Sequence, residues 1–246
     1  MKRILDSFNI RNIVKEENGK RRLVMMFMSI LLMGFSVSVF SYSNLGVDPF
    51  TSMNMGISAK LGVGFGFYQM CVNAVLLSAV VIFGKELIGV GTVVNMVGVG
   101  YICQFFTALY SEYLPSENNM AVRLALMILG VVLLSLSASM YFTSSLGVAP
   151  YDAVGFIIEH RADVPYKWCR VITDVICTVV GFAFGGPVGI GTVVTAFCMG
   201  PVISFFNKYV SPKMLTGHWF SPFELKARYY DFTKIGGGFV PVNGRH

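Results

Sequence analysis

A chain of 246 residues that is 54% hydrophobic and only 13% charged, with a mean hydropathy of +0.65, is too apolar for a soluble domain and belongs in a bilayer. Its formal charge of +6 does not argue for nucleic acid, because the basic residues gather at the two ends of the chain instead of along one face. The five cysteines, Cys71, Cys103, Cys169, Cys177 and Cys198, lack metal-ligand spacing and read as small core residues, so no metal or other cofactor is expected.

In chain order, the N-terminal SFNIRNIVKEENGKRR reads as a short amphipathic helix on the inner leaflet. Six apolar stretches follow, at 23–42, 66–84, 91–110, 122–142, 168–185 and 190–209, each near the roughly 20 residues that cross a hydrocarbon core. The first is longer than a signal peptide's apolar region, lacks a small-residue cleavage site and has a counterpart at 122–142 that cannot be cleaved. After the first stretch comes Leu45-Gly46-Val47-Asp48-Pro49, and after the fourth Leu146-Gly147-Val148-Ala149-Pro150. Glycine lets a helix stop and proline favours the first position of a new one, so each segment predicts a stop, a turn and a restart. Asp48 is a good N-cap, whereas Ala149 is not. The short stretches that follow, PFTSMNMGIS and PYDAVGFIIE, are either connectors at the membrane surface or re-entrant half-helices whose N-terminal amides face a cavity and suit an anion.

The connection SEYLPSENNM carries Glu112 and Glu117 and no Lys or Arg, as an external loop should. Lys2, Arg3, Arg11, Lys15, Lys20, Arg21 and Arg22 precede the first span, and Lys208, Lys213, Lys226, Arg228 and Lys234 follow the last, so both termini are expected in the cytoplasm. The tail from Ser211 mixes aromatic and basic residues and reads as an interfacial or loosely folded extension.

Sliding the chain against itself by 101 residues aligns Arg22 with Arg123, Leu45-Gly46-Val47 with Leu146-Gly147-Val148, and Pro49 with Pro150. At an offset of 100, GVGTVVN (89–95) aligns with GIGTVVT (189–195) and Phe105-Phe106 with Phe205-Phe206. This is a duplicated unit. With three spans in each unit, the second copy enters the membrane from the opposite side. The expected fold is therefore an all-α integral membrane protein of six transmembrane helices in two inverted three-helix repeats, each with a short broken or re-entrant helix after LGVxP. The divisions are a cytoplasmic segment at 1–21, repeat 1 at 22–112, repeat 2 at 122–210 and a cytoplasmic tail at 211–246.

Polar groups within apolar helices carry the functional signal, since a charge at the bilayer centre costs about 2.5–3.5 kcal/mol on insertion scales. Arg170 and Asp174 lie four apart on one face of the fifth span and can pair, and Gln69 and Asn73 hold the matching positions in the second. Thr92 and Asn95 in the third span match Thr192 and Thr195 in the sixth. In an inverted repeat these two faces can converge near the pseudo-two-fold axis, with Asp48, Pro49, Pro150 and Asp152 at the half-helix ends completing a substrate-binding set. Packing between helices is the bland alternative, with Ser, Thr, Asn and Gln bonding helix to helix. His160, His218 and His246 form no metal cluster, and no catalytic constellation stands out, so an enzyme is not expected.

The repeated LGVxP(F/Y), with G(V/I)GT and a glycine about nine residues on, resembles the YczE/YyaS/YitT family of bacterial integral membrane proteins, most of all its YczE-like branch. The resemblance covers residues 22–210 and rests on Leu45, Gly46, Val47, Pro49, Gly84, Gly89, Gly91, Thr92, Asn95 and their second-copy partners. Asp48, where a small residue is usual, and the long tail depart from that pattern. The resemblance implies a multi-pass protein of the bacterial inner membrane and brings no settled activity with it. The expected function is a small secondary transporter or permease for a small polar or anionic solute, with the lipid bilayer and the solute as partners, and a homodimer or cytoplasmic partner left open. Arg170 would hold the anionic group and Asp174 would orient Arg170 or couple to a proton. The alternatives are a membrane-embedded binding subunit of a vitamin importer, or a scaffold regulating a cytoplasmic partner.

Overall fold

The computed structural model describes residues 10–15, 18–113, 119–162, 164 and 166–216. Among these residues every regular element is helical: α1 (Ile10–Lys15), α2 (Gly19–Tyr42), α3 (Pro49–Leu61), α4 (Phe65–Phe83), α5 (Val90–Tyr113), α6 (Met120–Ser144), α7 (Pro150–Ala162), α8 (Tyr166–Ala183), α9 (Ile190–Tyr209) and α10 (Ser211–Thr216), with a 3₁₀ turn at Lys85–Leu87. The apolar stretches become α2, α4, α5, α6, α8 and α9, and the segments after LGVxP become the short helices α3 and α7.

Among the described residues, five helices are long and apolar enough to cross a membrane: Gly19–Tyr42, Phe65–Phe83, Val90–Tyr110, Met120–Ser144 and Ile190–Tyr209. The expected fifth span, α8, has 18 residues but carries Lys167, Arg170 and Asp174, which sets it apart. It is amphipathic. Trp168, Ile172, Val175, Ile176 and Val179 form an exposed apolar stripe, while Asp174, Cys177 and Gly181 turn inward.

The two halves of the chain grip each other at both ends. Arg22, in the first turn of α2, donates from Nε to the Ser144 carbonyl and from Nη2 to the Ser145 carbonyl, both at 2.8 Å. Arg123, its counterpart in α6, donates to the carbonyls of Ser43, at 2.9 Å, and Asn44. Each guanidinium thus satisfies carbonyls that a helix C-terminus leaves open, at the end where the macrodipole favours a cation. Since the start of each helix meets the end of the other, α2 and α6 lie antiparallel. Within the first half, α5 runs parallel to α2, with Phe35 against Phe106 at 5.1 Å and Tyr42 against Tyr110 at 5.5 Å.

The glycines of the repeated motifs mark where the halves cross. Gly46 has φ +101° and Gly147 φ +118°, the left-handed region where a side chain is strained. A Cβ on Gly46 would lie 2.6 Å from the Gly189 nitrogen, and one on Gly147 2.7 Å from the Gly89 nitrogen. The close approach lets Gly191 N–H donate to the Leu45 carbonyl at 2.8 Å and Gly91 N–H to that of Leu146 at 2.7 Å. Val47 N–H donates to the Pro187 carbonyl and Val148 N–H to that of Leu87, at 3.1 and 2.9 Å. The LGV segment of each half is therefore bonded to the loop before the last long helix of the other.

At the N-terminal end, Ile13 of α1 is buried in a cluster with Met26, Ile30 and Tyr141. At the other end, Ser211 is fully buried, its hydroxyl 2.6 Å from that of Ser139 on α6, so the packed bundle continues past the expected division at 210. The expectations for residues 1–9, for the loop at 114–118 and for the tail from 217 fall outside the described residues.

Candidate functional site

The short helices decide where the site lies. The connectors into α3 and α7 leave opposite ends of an antiparallel pair about 36 Å long, from the 24 residues of α2 at about 1.5 Å each. Even so, Phe50 and Tyr151, which occupy the same position in the two repeats, stack at 4.3 Å with their rings 18° apart. Both connectors must therefore double back, so that α3 and α7 begin together in the middle of the molecule. From there they diverge. Ser52 and Gly56 pack against Gly181 and Gly186 and Lys60 sits over the Phe184 ring, while Ile157 packs against Gly84 and Arg161 sits over the Phe83 ring.

Around this meeting point lies a polar cluster. Asp48 caps α3, its carboxylate accepting from Thr51 N–H at 3.0 Å, as the sequence predicts. Arg170 of α8 is bonded to Asp152, at the start of α7, and reaches Asp174 Oδ2 from Nε at 3.4 Å. Its guanidinium also lies 4.6 Å from the centre of the Tyr151 ring, within cation–π range. The Tyr151 hydroxyl donates to Asp174 Oδ1 at 2.7 Å, and the Cys177 thiol donates to that hydroxyl at 3.7 Å. Asp48 stands two residues before Phe50, whose ring stacks on Tyr151. One guanidinium is thus committed to two carboxylates and to an aromatic face.

The candidate residues separate into two groups. Arg170, Asp174 and Asp152 come together, with Pro150 opening the helix that carries Asp152, while Asp48 caps the helix that Pro49 opens. Gln69 and Asn73 are buried on the matching face of α4, where Gln69 Oε1 lies against α5 near Gly100 and has no hydrogen-bond partner. Thr92 and Thr192 are not brought to the cluster. Each accepts from the N–H three residues earlier, Gly89 or Gly189, at 3.1 Å and lines the glycine crossing. Thr195 bonds back to the carbonyls of Gly191 and Thr192, and Asn95 donates to Met33 Sδ at 3.5 Å.

Sequence reasoning missed Tyr151, Phe50 and Asn54. The first two stand at matching positions directly after the repeated proline, which was the available signal. Asn54, one turn beyond Phe50 on the same face, is wholly buried, and neither its amide nitrogen nor its oxygen has a protein partner. Such a group costs about 1–3 kcal/mol when left unpaired.

A helical bundle with five spans of membrane length and a polar cluster at its broken helices has the build of a multi-pass membrane protein. The chain belongs to a family of unknown function, DUF6198, whose profile matches residues 20–208. It is 24% identical to the uncharacterized membrane protein YczE of Bacillus subtilis over 185 residues, 75% of this chain and 84% of that protein. It is 25% identical to the uncharacterized protein YyaS of the same organism over 189 residues, 76% of this chain and 92% of that one. A Haemophilus influenzae protein is 24% identical over 194 residues, 78% of this chain and 85% of that one. These matches bear out the resemblance carried by LGVxP and G(V/I)GT. No solved structure matches the chain.

Proposed function

We propose that the protein is a small secondary transporter or permease for a small polar solute, built as two inverted three-span repeats with both termini on the cytoplasmic face. The observation that carries this reading is the 4.3 Å stack of Phe50 on Tyr151. Antiparallel repeats whose broken helices meet at their own pseudo-two-fold axis put those helix ends near the bilayer midplane, where repeat-built transporters bind their solutes. The charges of α8 then need not disqualify it as a span, beside the five apolar ones, because Arg170 and Asp174 are paired and turned inward, as intramembrane charges are. An anionic solute would have to displace Asp152 or Asp174 from Arg170, so the geometry favours a solute with both donor and acceptor groups over a simple anion.

The test uses purified protein in detergent and in proteoliposomes, with a defined panel of amino acids, amines and small carboxylates as probes. Ligand-dependent thermal stabilisation and uptake should be found for one class and should be lost in the Arg170→Gln/Asp174→Asn variant. Retention of both in that variant would sink the assignment of the site.

A further inference from the structure

The two repeats match in sequence but not in how tightly their last two long helices are closed. In the first repeat α4 lies directly on α5. A Cβ on Gly100 would sit 2.9 Å from Gly66 Cα and 2.9 Å from Gln69 Oε1, and Gly66 N–H donates to Gln104 Oε1 at 3.3 Å. Gly100 and Cys103 are buried there. At the matching place in the second repeat, a Cβ on Gly200 meets nothing within 4 Å; Gly200 is exposed, and Ile203, the counterpart of Cys103, is partly so. The side chains behind this gap are reachable too. Those of Arg170 and Asp152 are 23% and 16% exposed, whereas their counterparts Gln69 and Thr51 are buried. Arg170 lies on the face of α8 that carries Asp174 and Cys177, opposite the apolar stripe.

A second observation concerns α9 itself. Pro201 lies inside the helix directly after Gly200, whereas Tyr101 stands at the equivalent point of α5. A Gly-Pro step is where a helix bends, because proline removes one rung of the hydrogen-bond ladder. The bend point therefore falls at the level of the gap.

We infer that the gap between α8 and α9 is the mouth through which solute reaches Asp152 and Arg170 from the face where α2 begins, and that the α4–α5 seam is the equivalent mouth on the opposite face, shut in this structure. The inference rests on the transport reading above and adds its two routes. In an inverted repeat, exchanging the conformations of the halves generates the other state, with α8 closed on α9 and α4 parted from α5. Gln69 then faces the α4–α5 opening, as Arg170 faces the α8–α9 opening now. A solute entering by the present mouth meets the Asp152–Arg170 ion pair first, so the groups that select it are one carboxylate and one guanidinium together.

The experiment uses the full chain with its five cysteines replaced, single cysteines at Gly200→Cys or Gln69→Cys, and a membrane-impermeant maleimide applied to right-side-out and inverted vesicles. Gly200→Cys should label from the face of the α2 start only. Gln69→Cys should label slowly from either face. Oxidation of a Lys167→Cys/Gly200→Cys pair should form a disulfide that ties α8 to α9, and in that background labelling of Gln69→Cys from the opposite face should rise at least tenfold and fall again on reduction. Reversal in the same sample separates this result from misfolding. An unreactive Gly200→Cys, a pair that does not cross-link, or Gln69→Cys that stays silent after cross-linking would each overturn the inference. The labelling pattern intact beside a protein that moves none of the panel would count against transport while leaving the exchange of seams standing.

Discussion

Replacing the charges on α8 one at a time and then together tests the cluster most directly. Asp152 and Asp174 both lean on Arg170, so Arg170→Gln leaves two carboxylates without their shared cation. Breaking a buried pair from one side costs about 3–5 kcal/mol, and with the Arg170 side chain 23% exposed the lower end applies, about 3 kcal/mol. Asp174→Asn keeps Asp152 on the guanidinium and gives up charge-assisted bonds from Tyr151 and Arg170, for about 1–2 kcal/mol. Independent effects would sum to roughly 4–5 kcal/mol. The double variant, however, gives α8 the Gln and Asn that α4 already carries, buried and packed, at Gln69 and Asn73. Its loss should be no more than about 2–3 kcal/mol, a coupling of about 2 kcal/mol between the two sites. Thermal or denaturant unfolding of the four forms in one detergent measures this. Additivity within about 0.5 kcal/mol would refute the reasoning that the charges act as a unit.

Three further outcomes are expected in the same assay. Gly46→Ala and Gly147→Ala should each lose more than the roughly 1–2 kcal/mol of left-handed strain, because the new Cβ also meets the opposite loop, whereas Gly62→Ala, with φ +68° but open space, should lose the strain alone. Arg22→Gln and Arg123→Gln should each cost about 2 kcal/mol, and the double variant about the sum, since the two clasps stand at opposite ends of the bundle; a shortfall of more than 1 kcal/mol would show that they are not separate. Asn54→Leu should raise stability by about 1 kcal/mol, by removing an amide buried without partners, and a loss of that size would mean the amide is bonded after all.

The duplication, the long helices and the Arg170–Asp174 pair were all legible in the sequence, because periodicity and i,i+4 spacing are local properties. Asp48 as a helix cap was legible for the same reason. The path of the chain after LGVxP was not, since glycine and proline permit a break without saying where the chain goes next. That one ambiguity hid Tyr151: with the connector left at the surface, nothing brings its ring and hydroxyl to Arg170 and Asp174. It also left Thr92 and Thr192 open, because a hydroxyl one turn into a helix can face a site or serve its own backbone. Here each accepts from the Gly89 or Gly189 N–H at the glycine crossing. The charge of α8 could be counted in advance, but whether those charges are neutralised depends on residues some twenty positions away.

The exchange of backbone bonds between halves has a consequence for how the protein is made. The Leu45 carbonyl and Val47 N–H find their partners only in residues 187–191, and those of Leu146 and Val148 lie in 87–91. During translation the first half must wait, with its broken segment unpaired, until almost the whole chain has been synthesised. Each half carries both the donor set and the acceptor set of one self-complementary interface, as the subunits of a symmetric dimer do. Two polypeptides divided between residues 113 and 119 hold every group that interface needs, and the covalent link between the halves serves mainly to keep them at a high effective concentration.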